Sequence, residues 1–442
     1  MRVAHSGDLG HFTQTSVLAA PPRFTELHFD GIAWPQGLYS QTNLAIVPEA
    51  LIDELTISHA SQHIDFFSSP PQDSRPWTYV EYIKGPFDID VMRVRFRRSL
   101  SAKIQPYLTL NFLNADGQQI TVNGSQRGGP YDALKAYGRT EYLLSPNYRL
   151  RHRLVSSTNE TVVATPSFFE QLPEIVDNDA SYKETRLLHS LEMAKTSRIT
   201  ESASKNSRDI DTFRLRIYNW RLREETRDDL RNSFIDHKNN IVGGSADWRF
   251  YTARLTAQAV ATFERHDISR PTISLAAKNI LSLRAKSQFP LSKGLFLDAQ
   301  ARIVHHPDFD VQWSALGQLT FVPTNGIEIF GNIERRFSLP GPAEYANTIA
   351  GVLAPNPALE AAQLDKIEGG VFCRKDTIEL SAAGQRIRLN SPFELAVVDS
   401  LLIVQNSSRK TTFHGFALLA KWRPFTGLHI DLQANGSFER QP

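Results

Sequence analysis

The chain has 442 residues, 41% of them hydrophobic, with a net charge of +2, so no global field points to nucleic acid. No window approaches the ~18 uncharged apolar residues of a membrane helix, which excludes a helical membrane bundle but not a β-barrel, whose strands need only ~9–11 residues. A single cysteine, Cys373, rules out an intramolecular disulfide framework, and the absence of zinc, nucleophile, paired-carboxylate and phosphate-loop signatures points away from an enzyme, a cofactor or a metal.

The opening MRVAHSGDLGHFTQ lacks the basic-then-apolar start of a signal peptide. Asp30-Gly31 follows an apolar run and reads as a tight turn, with glycine supplying positive φ. Pro48 suits the first turn of a short helix over residues 48–53, before a strand resumes near Glu54. His59 and His63 are four apart, but their segment reads as a loop entering a strand, and His305-His306 sits at a strand end; neither pair is expected to hold metal.

From residue 91 a period of two sets in, the mark of a strand with two unlike faces. Met92, Val94 and Phe96 alternate with Arg93, Arg95 and Arg97. Leu150 and Leu154 alternate with Arg149, Arg151 and Arg153. Phe213, Leu215 and Ile217 alternate with Arg214 and Arg216; the pattern then slips at Asn219 so that Trp220 and Leu222 oppose Arg221 and Arg223, which reads as a β-bulge. Residues 177–201, 202–211 and 224–240 are dense in charge or polar groups and are expected in long loops with flanking strand ends. Clean alternation returns at residues 295–303, 311–321 (with Leu316 out of phase), 327–333 and 378–382. It is clearest in the last run, LHIDLQANGSFE, from Leu428 to Glu439. Turn-like links at residues 323–326 and 423–427 join consecutive runs. A long series of such strands without helix patterns suggests a barrel with lipid outside and water inside. A lipid-facing arginine at midplane costs roughly 2–4 kcal/mol, so the arginine rows are expected to face the lumen. There they would form a basic wall that favours anionic solutes, or pair with lumen acids such as Asp298, Glu328 and Glu334. Trp77, Tyr79, Tyr82, Tyr137, Tyr142 and Tyr148 are candidates for interfacial aromatic girdles.

Several segments carry a family resemblance. Residues 25–57, with Asp30, Gly31, Ile46, Pro48, Ile52, Glu54 and Ile57, match the second half of a plug domain. Phe330 to Pro340 looks like a strand ending in "FR.P". Asn356 to Glu360 and then Ile367 to Gly370 look like "NP.L.PE…YE.G". Phe413 to Trp422 and Gly427 to Phe438 look like paired strands joined by "WRP..GL". In this order the chain resembles TonB-dependent outer-membrane receptors. The family's coupling box and first plug half are not found, residues 58–67 replace its usual glycine-rich run, and its final strands are missing. These departures read as a fragment or as a divergent porin-like relative. The resemblance implies an all-β fold, a transmembrane antiparallel β-barrel at residues 74–442 with an N-terminal partial plug domain at 1–73. It implies uptake of a scarce nutrient across the outer membrane, ligand capture of a small molecule, glycan or peptide, contact with outer-membrane lipid, and energy coupling by the inner-membrane TonB complex. A passive porin with a basic lumen and a soluble β-rich binding or structural protein are the alternatives.

Overall fold

The computed structural model describes residues 2–5, 13–16, 22–37, 44–47, 52, 54–58, 63–68, 75–85, 88–101, 103–115, 120–122, 125–127, 130–162, 180–200, 207–228, 233–252, 255–269, 276–346, 353–398, 401–425 and 428–440. A hairpin of β1 (Arg2–His5) and β2 (Thr13–Ser16) stands first. A small sheet follows, ordered β4-β3-β6-β5, from β3 (Glu26–Phe29), β4 (Ile32–Ala33), β5 (Glu54–Ser58) and β6 (His63–Phe67). The large sheet starts with β7 (Trp77–Lys84), β8 (Asp90–Arg97) and β9 (Ile104–Ala115); a side hairpin, β10 (Ile120–Val122) and β11 (Ser125–Arg127), leads to β12 (Tyr131–Ser145). It continues through β13 (Tyr148–Val162), β14 (Ala180–Thr200), β15 (Ser207–Asp228), β16 (Ser233–Tyr251), β17 (Thr256–Ser269), β18 (Lys278–Ser292), β19 (Leu295–His306), β20 (Asp310–Thr324) and β21 (Ile327–Ser338). After the short helix α1 (Pro342–Ala346) and β22 (Leu353–Ala354) come β23 (Ala362–Lys375) and β24 (Ile378–Asn390). An outlying hairpin, β25 (Phe393–Val398) and β26 (Leu401–Asn406), pairs with β22, and β27 (Thr411–Phe425) and β28 (Leu428–Arg440) complete the barrel.

The barrel holds seventeen described strands and closes where β28 meets β7. Successive strands pair antiparallel, so β7 and β28 run the same way at the closure. Two-residue turns, among them residues 293–294, 325–326 and 376–377, lie at one end of the barrel, and the longest connections lie at the other. Gly326 makes one such turn possible. Its φ is +92°, and a Cβ there would collide with the Arg374 carbonyl oxygen. Gly326→Ala is therefore expected to cost about 1–3 kcal/mol in unfolding of the detergent-solubilised barrel; an unchanged midpoint would mean that the turn has another accessible conformation.

Alternation sorts the faces. Leu281, Leu283, Ile303, Trp313, Leu319, Phe321, Ile329 and Ile333 point outward, each 43–64% exposed. A contiguous apolar belt of this kind is lipid-facing, and it does not fit the soluble β-rich alternative. Leu316, out of phase in the sequence, faces inward and lines a small cavity with Arg336 and Phe337. The small sheet packs on the inner wall, where Leu27, Phe29, Ile32, Trp34, Ile64 and Phe66 meet Tyr137, Val155, Leu188, Tyr218, Trp220 and Ile241 in one buried cluster. Trp34 and Trp220 meet edge to face at 5.0 Å.

The structure corrects several expectations. Residues 180–200 are a 21-residue strand, β14, rather than part of a charged loop. Its inward positions mix acids and cations with the apolar Leu188 and Ala194, which hides the two-face pattern. The link expected over residues 224–240 shrinks to residues 229–232 between β15 and β16. No bulge occurs at Asn219, for the register runs straight through Leu188↔Trp220, His189↔Asn219 and Ser190↔Tyr218. Trp220 and Leu222 point inward and are buried, Trp220 against the small sheet, and Arg221 and Arg223 point outward. With 22 residues, β15 exceeds the ~9–11 needed to cross lipid, so those arginines can stand beyond the belt. Tyr137 is fully buried in the inner cluster rather than in a girdle. Trp77 and Tyr79 are paired with Arg97 and Arg95, which puts them on the arginine face, whereas Tyr82, Tyr142 and Tyr148 face out.

Candidate functional site

Asp30 and Gly31 link β3 to β4 with φ of 49° and 77°. Two consecutive positive φ values make a type I′ turn, which Asp-Gly adopts readily. The Asp30 carboxylate is buried and accepts hydrogen bonds from Ser68 N (2.9 Å) and Ser68 Oγ (2.7 Å). Arg153 Nε lies 3.1 Å from Asp30 Oδ2, the oxygen that also accepts from Ser68 Oγ. Ser68 Oγ is also 2.7 Å from Tyr137 Oη, and Arg139 donates to the Ser68 carbonyl at 3.0 Å. From the far side Arg216 donates to the carbonyls of Gly31 (2.9 Å) and Asp30 (3.0 Å). The turn is thus clamped by β12, β13 and β15.

Below the turn lies a charged ladder. The barrel register sets Glu141 opposite Arg151, Arg151 opposite Glu192, and Glu192 opposite Arg216. Alternating sign across directly opposed positions is the favourable arrangement. Arg151 reaches Glu141 (3.1 Å), Glu192 (2.9 Å) and Asp211 (2.8 Å). Glu192, whose side chain has no exposed surface, also holds Arg153 (3.4 Å) and Arg216. Glu141 takes Arg139 at 2.7 Å and Arg149 at 3.5 Å.

The six arginines singled out in the sequence therefore separate into two sets. Arg149, Arg151 and Arg153 belong to this clamp and ladder. Arg93, Arg95 and Arg97 are half-buried on the inner face of β8, with Met92 and Phe96 exposed outside. Two strands, β9 and β12, stand between the rows, so the six form no shared wall. Arg93 pairs with Glu81 at 2.9 Å. Of the other plug-like positions, Glu54 lies in β5, while Pro48 and the helix expected after it fall outside the described residues; a 3-10 turn spans Leu44–Ile46. His59 is also outside the described residues. His305 faces out and His306 in, and among the described residues no group of three His, Cys, Asp or Glu is placed to hold a metal. Glu141, Glu192, Asp211 and Ser68 escaped the sequence reading, because only strand register shows which carboxylate meets which arginine.

Two cavities flank the small sheet on the β15–β21 side. One, of about 250 Å³, opens among Trp34, Trp220, His237, His266, His306 and Phe337, toward the longer connections. The other, of about 300 Å³, lies among Asp65, Arg214, Asp247, Arg249, Arg284 and Lys286, toward the tight turns. His28, Ala33, Glu264, Ile280 and Arg302 line both and form the septum between them. Arg302 pairs there with Glu26, and His28 sits 3.3 Å from Asp65.

No protein-family model and no curated protein matches the chain. Solved structures do match. The siderophore receptor PirA from Pseudomonas aeruginosa is similar with a TM-score of 0.70 and 13% identity, over 95% of this chain and 78% of the receptor. A mutant of the ferric enterobactin receptor PfeA from the same organism gives 0.74 and 13%, over 98% and 75%. The FrpB iron transporter from Neisseria meningitidis gives 0.74 and 11%, over 99% and 76%. The apolar belt, the antiparallel strands and these likenesses together show the fold of an outer-membrane β-barrel receptor.

Proposed function

We propose that this chain takes up a scarce nutrient across an outer membrane, with residues 1–73 acting as a plug and residues 74–442 as the barrel. The observation that carries this reading is the clamp. The small sheet is fastened to the inner wall by Arg153 at the Asp30 carboxylate and Arg216 at the Asp30 and Gly31 carbonyls. A sheet fastened inside a barrel obstructs free diffusion, and the polar fastenings of its turn can be exchanged for others when the sheet shifts. Capture of a small ligand, with an iron–siderophore complex as the leading class because the similar structures are siderophore and iron receptors, fits this arrangement. Movement of the plug would draw on inner-membrane TonB coupling.

Planar-bilayer conductance tests the reading. The intact chain is expected to pass little steady current, and removal of residues 1–73 to raise conductance about tenfold or more. A steady ohmic current of full size from the intact chain would establish the passive porin instead. The cavities beside the small sheet are the feature that favours that second reading.

A further inference from the structure

The cavity near the tight turns contains two cations that no described acid contacts directly. Four of its basic side chains have carboxylates: Arg214 with Asp211 (3.2 Å), Arg216 with Glu192, Arg302 with Glu26, and Arg249 with Asp247 (3.4 Å). The remaining acids of its wall are engaged elsewhere. Glu264 accepts from Tyr218 at 2.6 Å and sits 3.1 Å from His266, and Asp65 faces His28. Among the described residues Arg284 and Lys286 make no direct ion pair or hydrogen bond, although Glu26, Asp65 and Asp247 lie within electrostatic reach of Arg284, and the buried Nε of Arg249 has no acceptor there.

Register sharpens the point. Arg284 stands directly opposite Arg302 on the same face, and like charges directly opposed are destabilising. Lys286 is flanked by Gln258 and Gln300 on the neighbouring strands; Gln258 Nε2 already gives one hydrogen bond to Asp247 at 2.9 Å and keeps a second N–H to offer, and the Gln300 amide also offers N–H donors. Arg284 and Lys286 are two residues apart in β18, so their backbones are about 7 Å apart and their side chains share one face. A volume of about 300 Å³ is at the small end of ligand pockets.

We propose that this cavity binds a small oxyanion bearing at least two negative charges, held by Arg284 and Lys286 with Arg249 Nε and the two glutamines around it. The ligand neutralises the facing Arg284–Arg302 pair and supplies the acceptors that the wall lacks. The proposal deepens the uptake reading by naming the charge class of a solute on the path, and binding to the purified barrel tests it without any transport, so the two fail separately.

The experiment is calorimetric titration of the detergent-solubilised full chain with succinate and with inorganic phosphate at low ionic strength. At least one is expected to bind, more weakly as salt rises, and the tighter of the two assigns the carboxylate or the phosphate class. R284Q/K286Q is expected to weaken that binding at least tenfold. The charge-preserving exchange R284K/K286R should stay within about threefold of the parent, as should Lys183→Gln, which removes an exposed cation paired with Glu160. Failure of both anions to bind, or unchanged affinity in R284Q/K286Q, overturns the proposal. Circular dichroism of each variant separates lost binding from lost folding.

Discussion

Glu192→Gln is expected to lower the unfolding free energy of the barrel by about 3–5 kcal/mol, the range for removing one partner from a buried ion pair. The change keeps the side-chain volume, removes the charge and turns one acceptor oxygen into an amide donor facing the arginines. Arg151, Arg153 and Arg216 converge on this carboxylate from both neighbouring strands, and the Glu192 side chain is fully buried. Arg151 retains Glu141 and Asp211, and Arg153 retains Asp30, so the loss falls most heavily on Arg216, whose other partners are the neutral carbonyls of Asp30 and Gly31. The same substitution should therefore loosen the small sheet. Equilibrium unfolding in detergent, followed by near- and far-ultraviolet circular dichroism, measures the effect. A loss below about 1 kcal/mol would show that the arginines reach water or another carboxylate once the charge is gone.

The second large effect distinguishes the barrel's two faces at adjacent residues. Leu319 is 46% exposed on the outer belt, opposite Leu297 and Gly331. Gln318 points inward and donates to Thr320 at 3.1 Å. Leu319→Arg should cost about 2–4 kcal/mol if it lies near the bilayer midplane. Gln318→Arg should cost about 1 kcal/mol, roughly the hydrogen bond it gives up. The measurement is unfolding in lipid vesicles rather than in detergent, because the penalty comes from the hydrocarbon. Equal costs at the two positions would remove the lipid-facing assignment of β20.

The ladder of Glu141, Arg151, Glu192 and Arg216 shows how far a sequence reading reaches. Each of these residues occupies a strand position whose parity is a local property, since successive side chains alternate faces. The parity of Arg149, Arg151 and Arg153 was legible for that reason, and so was that of Arg93, Arg95 and Arg97. The partners were not. Glu192 lies 41 residues from Arg151 and 24 from Arg216 along the chain, and only the pairing register of β13, β14 and β15 makes them neighbours. A register shift of one residue would send every one of these charges to the opposite face.

The limits in the middle of the chain have the same origin. Residues 180–200 and 213–224 do not read as simple two-faced strands, because their inner face meets two environments: the charged ladder at one height and the apolar small sheet at another. Leu188 and Trp220 look misplaced until Phe29 and Trp34 are known to lie against that wall. Strand content, the Asp30-Gly31 turn, the lipid-facing runs of β19, β20 and β28 and the resemblance to outer-membrane receptors follow from the sequence alone, since each depends on spacing within a few residues. Tertiary structure alone decided the inward packing of the small sheet, the separation of Arg149, Arg151 and Arg153 from Arg93, Arg95 and Arg97, and the placing of Arg284 and Lys286 together in one cavity without a direct partner among the described residues. These depend on which distant strands are brought side by side, and chain-local chemistry carries no record of that distance.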